Sequence, residues 1–425
     1  MPKIKKGDES ILNVSKDVMV LAMGVIVASL IPILLQPFLK RTFSPEDFGA
    51  YDVYLKTFSI LVALSCLKYE NAILLPKKDS DSKHVIYLCL LISGVIFLVT
   101  MLFLLLFSDF VVTLLENMNT FALFLLPLSV LFYTVFNVFN LYLIRNRKFA
   151  LSSTSKISRR FGEGLVQVLM GIFKNPNGLV IGDFCGNVVQ GFYSFWKADK
   201  ISPFRLISKT RIKKVLKEYR ELPLYTLVPN VLNTFALGAL TFLILNNFDL
   251  KEVGFLEFTQ RILAIPSVFV SAAISQVVFQ RVSNLINRKE KVMPLILSLM
   301  SLLIIVSFLF IIVIEFFGES IFLLIGGNGW EKSGEYSKIL VYASAVMLVF
   351  SPLGKVLIAF KKFKTNSIWE ITKFISILFL FYPNSYTIKE YIWLYTGIIV
   401  FFYLLYGAII LYQTHKYQIE IKTQT

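Results

Sequence analysis

Two acid–base pairs stand inside segments that are otherwise almost wholly apolar: Asp52 with Lys56, and Glu257 with Arg261. Each has i,i+4 spacing with the acid first, the better order for an ion pair on a helix. At about 100° per residue, Asp52, Lys56, Ser59, Ala63, Cys66 and Glu70 keep within about 40° of one line, as do Glu257, Arg261, Ala264, Val268, Ser271 and Ser275. A charge at the centre of a bilayer costs about 2.5–3.5 kcal/mol on insertion scales, so such stripes should face a bundle interior or a wet cavity. Fixed cations there could replace the hydration shell of a multiply charged anion, while the carboxylates could carry a coupling proton or sodium ion. The plainer alternative is that each pair only neutralises itself. Lys56 and Arg261 lie about two turns inside the ends of their segments, where snorkelling would lower the cost.

Further polar residues sit in comparable surroundings. Lys373 is the most central cation, with Glu370 three residues before it, and Lys355 accompanies Ser351 and Ser344. Asn230, Thr234 and Thr241 could line the same cavity. Asp183 is either a proton carrier or, the reading favoured here, a helix N-terminal acid. Lys68 points away from the Asp52 stripe by about 160° and is expected to snorkel.

The elements that must hold these residues are long apolar runs: Val18–Leu39, Tyr51–Leu75, Val85–Phe107, Phe121–Ile144, Ile157–Phe173, Gly178–Trp196, Leu222–Leu245, Val253–Phe279, Val292–Phe316, Ile339–Phe360, Ser367–Tyr382 and Tyr391–Tyr412. Most are long enough to cross about 30 Å of hydrocarbon as helix. With 56% hydrophobic residues and a mean hydropathy of +0.70, a chain of this length could not hide its apolar surface in water. Pro32, Pro37, Pro127, Pro229, Pro266 and Pro352 interrupt runs and allow bends.

The reading is therefore an all-α integral membrane protein of 12 transmembrane helices. Lys and Arg gather in every second connection, including the stretch from Arg145 to Arg160 and, most heavily, Lys197 to Arg220, which puts both termini in the cytoplasm. The expected division is a cytoplasmic N-terminal segment (1–17), an N-lobe of helices 1–6 (18–196), a basic cytoplasmic linker (197–221), a C-lobe of helices 7–12 (222–413) and a cytoplasmic tail (414–425). The first run is too long for a signal-peptide core and is read as a retained helix. A formal charge of +16 would suggest nucleic acid in a soluble protein, but these basic residues sit where an anionic leaflet attracts them, so no nucleic acid partner is expected. Cys66, Cys89 and Cys185 make no metal or redox spacing and read as small packing residues, while His84 and His415 stand singly. Neither a cofactor nor a metal is expected.

At an offset of 205 residues, Asp47-Phe48-Gly49-Ala50-Tyr51-Asp52-Val53-Tyr54-Leu55-Lys56 aligns with Glu252-Val253-Gly254-Phe255-Leu256-Glu257-Phe258-Thr259-Gln260-Arg261, so that acid, Gly, acid and base recur in register. An even number of runs separates the copies. They enter the membrane in the same direction, a parallel repeat about an axis along the membrane normal. Two pseudo-symmetric six-helix lobes around a central cavity are the expected result.

Ser44-Pro45-Glu46-Asp47-Phe48-Gly49-Ala50-Tyr51 followed by Lys68 to Lys77 resembles the opening of Wzx-type polysaccharide flippases of the multidrug, oligosaccharidyl-lipid and polysaccharide exporter (MOP) superfamily. Asn177 to Gly182, Val253 through Pro266, and Gly329-Trp330-Glu331-Lys332-Ser333-Gly334 extend the resemblance over essentially the whole chain. It implies alternating access in a bacterial inner membrane, moving a polyprenyl-pyrophosphate-linked oligosaccharide to the outer leaflet for surface polysaccharide of the O-antigen type. Cavity cations would hold the pyrophosphate, and the matching positions are Arg261 and, by the repeat, Lys56, with Lys373 and Lys355 as further candidates. Asp52, Glu257, Glu70, Glu370 and Asp183 are the coupling-ion candidates, and Ser59, Ser271, Ser275, Asn230 and Thr234 the polar lining. Partners would be the lipid-linked oligosaccharide, membrane lipids, and polysaccharide polymerase and chain-length proteins. Two competing classes remain. A membrane polymerase or glycosyltransferase needs a placed acid or base, yet the longest outer connection, Phe317 to Lys338, offers Glu319, Glu331 and Glu335 with no His or paired-acid motif. A drug exporter of the same superfamily would suit organic cations with an acidic or aromatic cavity, against which the basic stripes argue.

Overall fold

Helices form the chain in this computed structural model, which describes residues 6–115, 119–201, 208–382 and 385–422. In order they are α1 (Lys6–Thr42), α2 (Pro45–Leu64), α3 (Asp79–Leu114), α4 (Thr120–Arg145), α5 (Phe149–Ile172), α6 (Gly178–Ile201), α7 (Lys209–Glu218), α8 (Val228–Asn247), α9 (Leu250–Asn287), α10 (Met293–Gly326), α11 (Glu331–Leu353), α12 (Lys355–Ala359), α13 (Phe363–Leu378) and α14 (Ile388–Lys422). The twelve predicted runs each find a helix, with α11 and the short α12 sharing the tenth and α7 lying outside the count. Among the described residues, eight helical stretches, in α1, α3, α4, α8, α9, α10, α11–α12 and α14, are long and apolar enough to cross a membrane. The other four of the twelve, α2, α5, α6 and α13, fall short of that length or apolarity, and each buries a charged side chain, Asp52, Glu163, Asp183 and Lys373. Each of those charges has an ionic partner, on its own helix for Asp52, Glu163 and Lys373 and on α5 for Asp183, which lowers the cost of burying it.

The chain divides into two compact units, Met1–Phe235 and Ala236–Thr425, with the division inside α8. In the first unit α5 packs on α1 and α6, and α4 on α3 and α6. In the second, α11 packs on α9, α10 and α14, and α13 lies against α14. The third and ninth of the twelve spans, α3 and α10, are the least enclosed. Leu91, Leu98, Leu102 and Leu106 on α3, and Leu302, Ile305, Phe308 and Phe316 on α10, are exposed, as helices meeting lipid should be.

The repeat is a structural one at the helix starts. Ser44 caps α2, accepting from the Asp47 amide at 3.2 Å while Asp47 accepts from the Ser44 amide at 2.9 Å, a reciprocal capping box with Pro45 in the first turn. Asp249, at the same offset, caps α9 by accepting from the Glu252 amide at 2.9 Å. The two stripes therefore begin at equivalent points of equivalent helices.

The second run departs from expectation. Helix α2 stops at Leu64, because Leu67 (φ 48°) and Lys68 (φ 66°) turn the backbone left-handed, and residues Tyr69–Leu74 form a 3₁₀ turn. Arg145 holds that turn by donating to the carbonyls of Ile73 at 3.3 Å, Leu74 at 3.1 Å and Pro76. Cys66 and Glu70 consequently leave the helical stripe on which the sequence placed them. Residues Lys209–Glu218 of the expected linker form a helix docked on α3 within the first unit.

Candidate functional site

Helix α2 buries Asp52 and leaves Lys56 partly open, with Lys56 Nζ 3.6 Å from Asp52 Oδ1 and side-chain exposures of 26% and 6%. Helix α9 repeats the arrangement: the Arg261 guanidinium pairs with Glu257, and the exposures are 27% and 3%. In both, the acid is buried inside its own unit and the cationic side chain is about a quarter exposed. A cation kept beside its own carboxylate is not stranded, bare, in a low-dielectric interior. Ser59 is exposed and donates to the Leu55 carbonyl at 2.7 Å, spending its hydroxyl proton on its own helix. Thr234 donates likewise to the Asn230 carbonyl at 2.8 Å, with both residues half-buried on α8. The side chains of Ser271 and Ser275 lie outside the described residues.

The second unit holds Lys373 differently from its sequence expectation. It is 4% exposed, 2.8 Å from Glu370 Oε2, and stacked 4.2 Å from the Trp369 ring centroid and 5.7 Å from that of Tyr403. Trp369 stacks on Tyr406 at 4.2 Å and donates its indole N–H to the Phe402 carbonyl at 2.8 Å, while Tyr406 donates to Asn366 Oδ1 at 2.7 Å. The cation thus ties α13 to α14, and the partly exposed Glu370 is the more accessible member of the pair. Lys355 is exposed at the first residue of α12, beyond the Gly354 break that ends α11.

Two coupling-ion candidates stand otherwise than expected, Glu70 off its stripe and Asp183 away from a helix N-terminus. Glu70 is buried in the 3₁₀ turn, 3.6 Å from Lys68, whose left-handed backbone brings the two together where snorkelling was expected. Asp183 lies too far into α6, which starts at Gly178, to be a helix N-terminal acid. It is fully buried and accepts from Arg159 Nη2 at 2.8 Å and from Asn187 Nδ2 at 2.8 Å.

That arginine is the residue sequence reasoning missed. Arg159 and Arg160, read as part of a cytoplasmic connection, lie near the middle of α5. Arg160 Nη1 donates to Glu163 Oε2 at 2.8 Å, Arg159 Nε stands 3.8 Å from the same oxygen, and Tyr51 Oη donates to Glu163 Oε1 at 3.4 Å. Two guanidiniums meet two carboxylates across α2, α5 and α6, a network without net charge. Glycine lets α5 and α6 approach closely enough. A Cβ on Gly186 would stand 2.9 Å from Glu163 Cβ and 3.1 Å from the Arg159 carbonyl oxygen, and one on Gly182 2.9 Å from the Glu163 carbonyl oxygen. The signal available was Arg159-Arg160-x-x-Glu163 facing Gly178-x-x-x-Gly182-Asp183-x-x-Gly186.

The Gly329–Gly334 motif proves to be a clamp. Glu252 receives Lys332 on one oxygen and Tyr336 Oη, at 2.5 Å, on the other, and Trp330 packs edge-on against Phe255 and Phe258. The start of α11 is thereby fixed to the start of α9. Among the described residues no group of His, Cys, Asp and Glu could hold a metal ion. Lys56 and Arg261 are thus partly exposed cations, each with a buried acid behind it.

No curated protein matches the sequence. Solved structures do match in fold. A lipid II flippase, MurJ, in an inward closed conformation is 14% identical with a TM-score of 0.75, covering 95% of this chain and 91% of that one. A multidrug resistance MATE family transporter of the MOP superfamily, inward-facing, is 12% identical with a TM-score of 0.73 and covers 94% and 99%. A MOP superfamily transporter from Pyrococcus furiosus is 12% identical with a TM-score of 0.65, at 96% of both chains. At such identities the fold is what is shared, and it is that of multi-pass transporters with 12 transmembrane helices. Residues 38–335 match the family model described as "Polysaccharide biosynthesis protein", which takes in α2 to α10 with both acid–base pairs, and the chain belongs to that family.

Proposed function

We propose that this protein is a flippase moving polyprenyl-pyrophosphate-linked oligosaccharide units from the cytoplasmic to the outer leaflet of a bacterial inner membrane, by alternating access, for surface polysaccharide of the O-antigen type. The observation that carries this reading is the matched pair of half-open cations, Lys56 and Arg261, each backed by a buried acid at the same place in its own repeat. A pyrophosphate entering such a site exchanges water for charge-assisted hydrogen bonds, each worth about 1.5–3 kcal/mol, and the guanidinium can grip two oxygens at once. Family membership supports a polysaccharide precursor as cargo, and the likeness to a lipid II flippase supports a lipid-linked one.

Asp52, Glu257 and Glu370 serve as candidates for a coupling proton or sodium ion, since each already faces a cation that an arriving anion could draw away. Asp183 and Glu70 fit that role less well, being enclosed with their own partners. Both termini are cytoplasmic in this reading, and polymerase and chain-length proteins act downstream of it. Depletion followed by a leaflet-resolved assay of lipid-linked glycan tests it: build-up on the cytoplasmic side is expected, whereas normal translocation with unpolymerised units outside would point to a polymerase. Lys56→Ala and Arg261→Ala should each lower translocation about 10–100-fold at normal protein levels. Wild-type export by both variants would remove the cationic site.

A further inference from the structure

Helix α7, within the first unit, carries a surface that the proposed transport does not use. On α7, Lys209, Lys213, Lys217 and Lys214 share an arc of about 140°, while Val215 and Ile212 point the other way. Val215 is buried in a cluster with Cys66, Tyr69, Ile73, Val85, Tyr142 and Ala198. Three polar contacts fix the docked side: Ser208 donates its amide to His84 Nε2 at 3.3 Å, Tyr69 Oη donates to the Leu216 carbonyl at 3.2 Å, and Arg211 donates to Ser80 Oγ at 2.5 Å. The helix is thus rigidly seated with its lysines outward. All four are exposed, and Leu216 among them is 43% exposed.

Its place on α3 says what that face meets. Ser80 and His84, which α7 covers, fall within about 40° of the line through Leu91, Val95, Leu98 and Leu102, the exposed apolar face of the same helix. Leu91 is only about 10 Å further along at 1.5 Å per residue. Helix α7 therefore lies beside the end of α3 where that lipid-facing surface begins, at headgroup depth, with Val215 turned into the closed interior of the unit and the lysines turned away from it. The end of α6 marks the same level. Trp196 is 51% exposed and carries Lys200 Nζ at 3.8 Å and Lys197 Nζ at 4.5 Å from its ring centroid, the pairing of aromatic and basic residues expected at a membrane boundary. Ala198, two residues on, packs in the cluster that receives Val215. Of the acids nearby, Glu218 lies about 40° around α7 from Lys214, at i,i+4 spacing, and about 100° or more from Lys213 and Lys217, while Asp199 lies on α6 and Asp81 on α3.

We propose that the outward face of α7, flanked by Trp196, Lys197 and Lys200, is a binding site for anionic phospholipid headgroups of the adjoining leaflet. Lysines near a membrane surface each strengthen association with anionic lipid about fivefold, so removing three should weaken it roughly hundredfold. Leu216 adds the apolar contact typical of helices lying in the interface.

The test uses the whole chain in lipid nanodiscs of phosphatidylcholine, titrated with phosphatidylglycerol and followed by amide hydrogen exchange over residues 208–219. Phosphatidylglycerol should slow exchange in α7, and the Lys213→Gln, Lys214→Gln, Lys217→Gln variant, with its affinity lowered roughly hundredfold, should show little slowing at the phosphatidylglycerol fractions that protect the unaltered protein. These lysines point away from Val215, so unchanged exchange of α7 in pure phosphatidylcholine verifies that the helix stays docked. Lys361→Gln, Lys362→Gln, Lys364→Gln removes equal charge elsewhere and should leave the titration in place. The proposal fails if the control triple weakens the effect as much, if phosphatidylglycerol leaves α7 unaffected, or if soluble polyglutamate protects α7 better than the lipid does, which would assign the face to an acidic protein.

Discussion

Replacing Arg159 with Ala should be the most damaging single truncation in the first unit. The guanidinium is 16% exposed, Asp183 is fully buried, and the Glu163 side chain is 5% exposed, so the loss strands one carboxylate and weakens the support of the other. Asn187 would remain as the donor to Asp183, and Arg160 with Tyr51 as partners of Glu163. Breaking one side of a buried pair costs about 3–5 kcal/mol, because the remaining charge stays desolvated. Joint replacement, Arg159→Met with Asp183→Leu, removes both charges and should recover most of that loss, giving a coupling of about 2–3 kcal/mol in a double-mutant cycle. Unfolding of the purified protein in detergent, measured for the four variants of the cycle, reads the coupling directly. Additive effects, or an Arg159→Ala cost below about 1 kcal/mol, would mean that the network does not hold α5 and α6 together. Transport separates structure from coupling: Asp183→Asn should translocate normally wherever it accumulates normally. A well-folded Asp183→Asn protein without translocation would restore this acid as a coupling site.

Three further outcomes are expected. Gly186→Ala forces a methyl against Glu163 and the Arg159 carbonyl and should cost about 1–3 kcal/mol by the same unfolding assay, whereas Gly397→Ala, which meets open space, should fall within about 0.5 kcal/mol. Glu252→Ala strips Tyr336 Oη of its acceptor and Lys332 of its partner and should cost about 1–3 kcal/mol, most of it from the tyrosine because Lys332 is half in solvent. Glu331 accepts from the Gly329 amide at 3.0 Å, and that bond together with its own amide holds the carboxyl below the usual glutamate range. A depressed carboxylate stabilises the fold above its unfolded pKa and stops doing so as pH falls through the folded value, so the protection factor of the Gly329 amide, its exchange rate relative to the intrinsic rate at the same pH, should drop on acidification below about pH 4. Glu331→Gln should abolish that acid-dependent loss of protection.

Much of the architecture was readable from composition and periodicity. Twelve apolar runs found helices, and the offset linking Asp52 and Lys56 to Glu257 and Arg261 reappears at the helix caps Ser44 and Asp249. Helix α2 was overextended because an apolar run shows hydrophobicity and not backbone angle: Leu67 and Lys68 look no less helical than their neighbours until φ is known. Arg159 was misplaced for the opposite reason. A charge counted along the chain belongs to whichever side its segment approaches, and only the carboxylates of Asp183 and Glu163, on a neighbouring helix and one turn away, make the interior tolerable for it.

By itself the sequence determined the membrane setting, the helical elements, the twofold internal repeat and the i,i+4 pairing of acid with base. These follow from local properties, since hydropathy and helical periodicity act over residues close in the chain. Which charges remain reachable was decided by tertiary packing alone. Lys56 and Arg261 stay partly exposed, Lys373 is enclosed by Trp369, Tyr403 and Glu370, and Arg159 disappears into its network. The desolvation of an ion depends on what surrounds it in space, and residues far apart in the chain supply those surroundings.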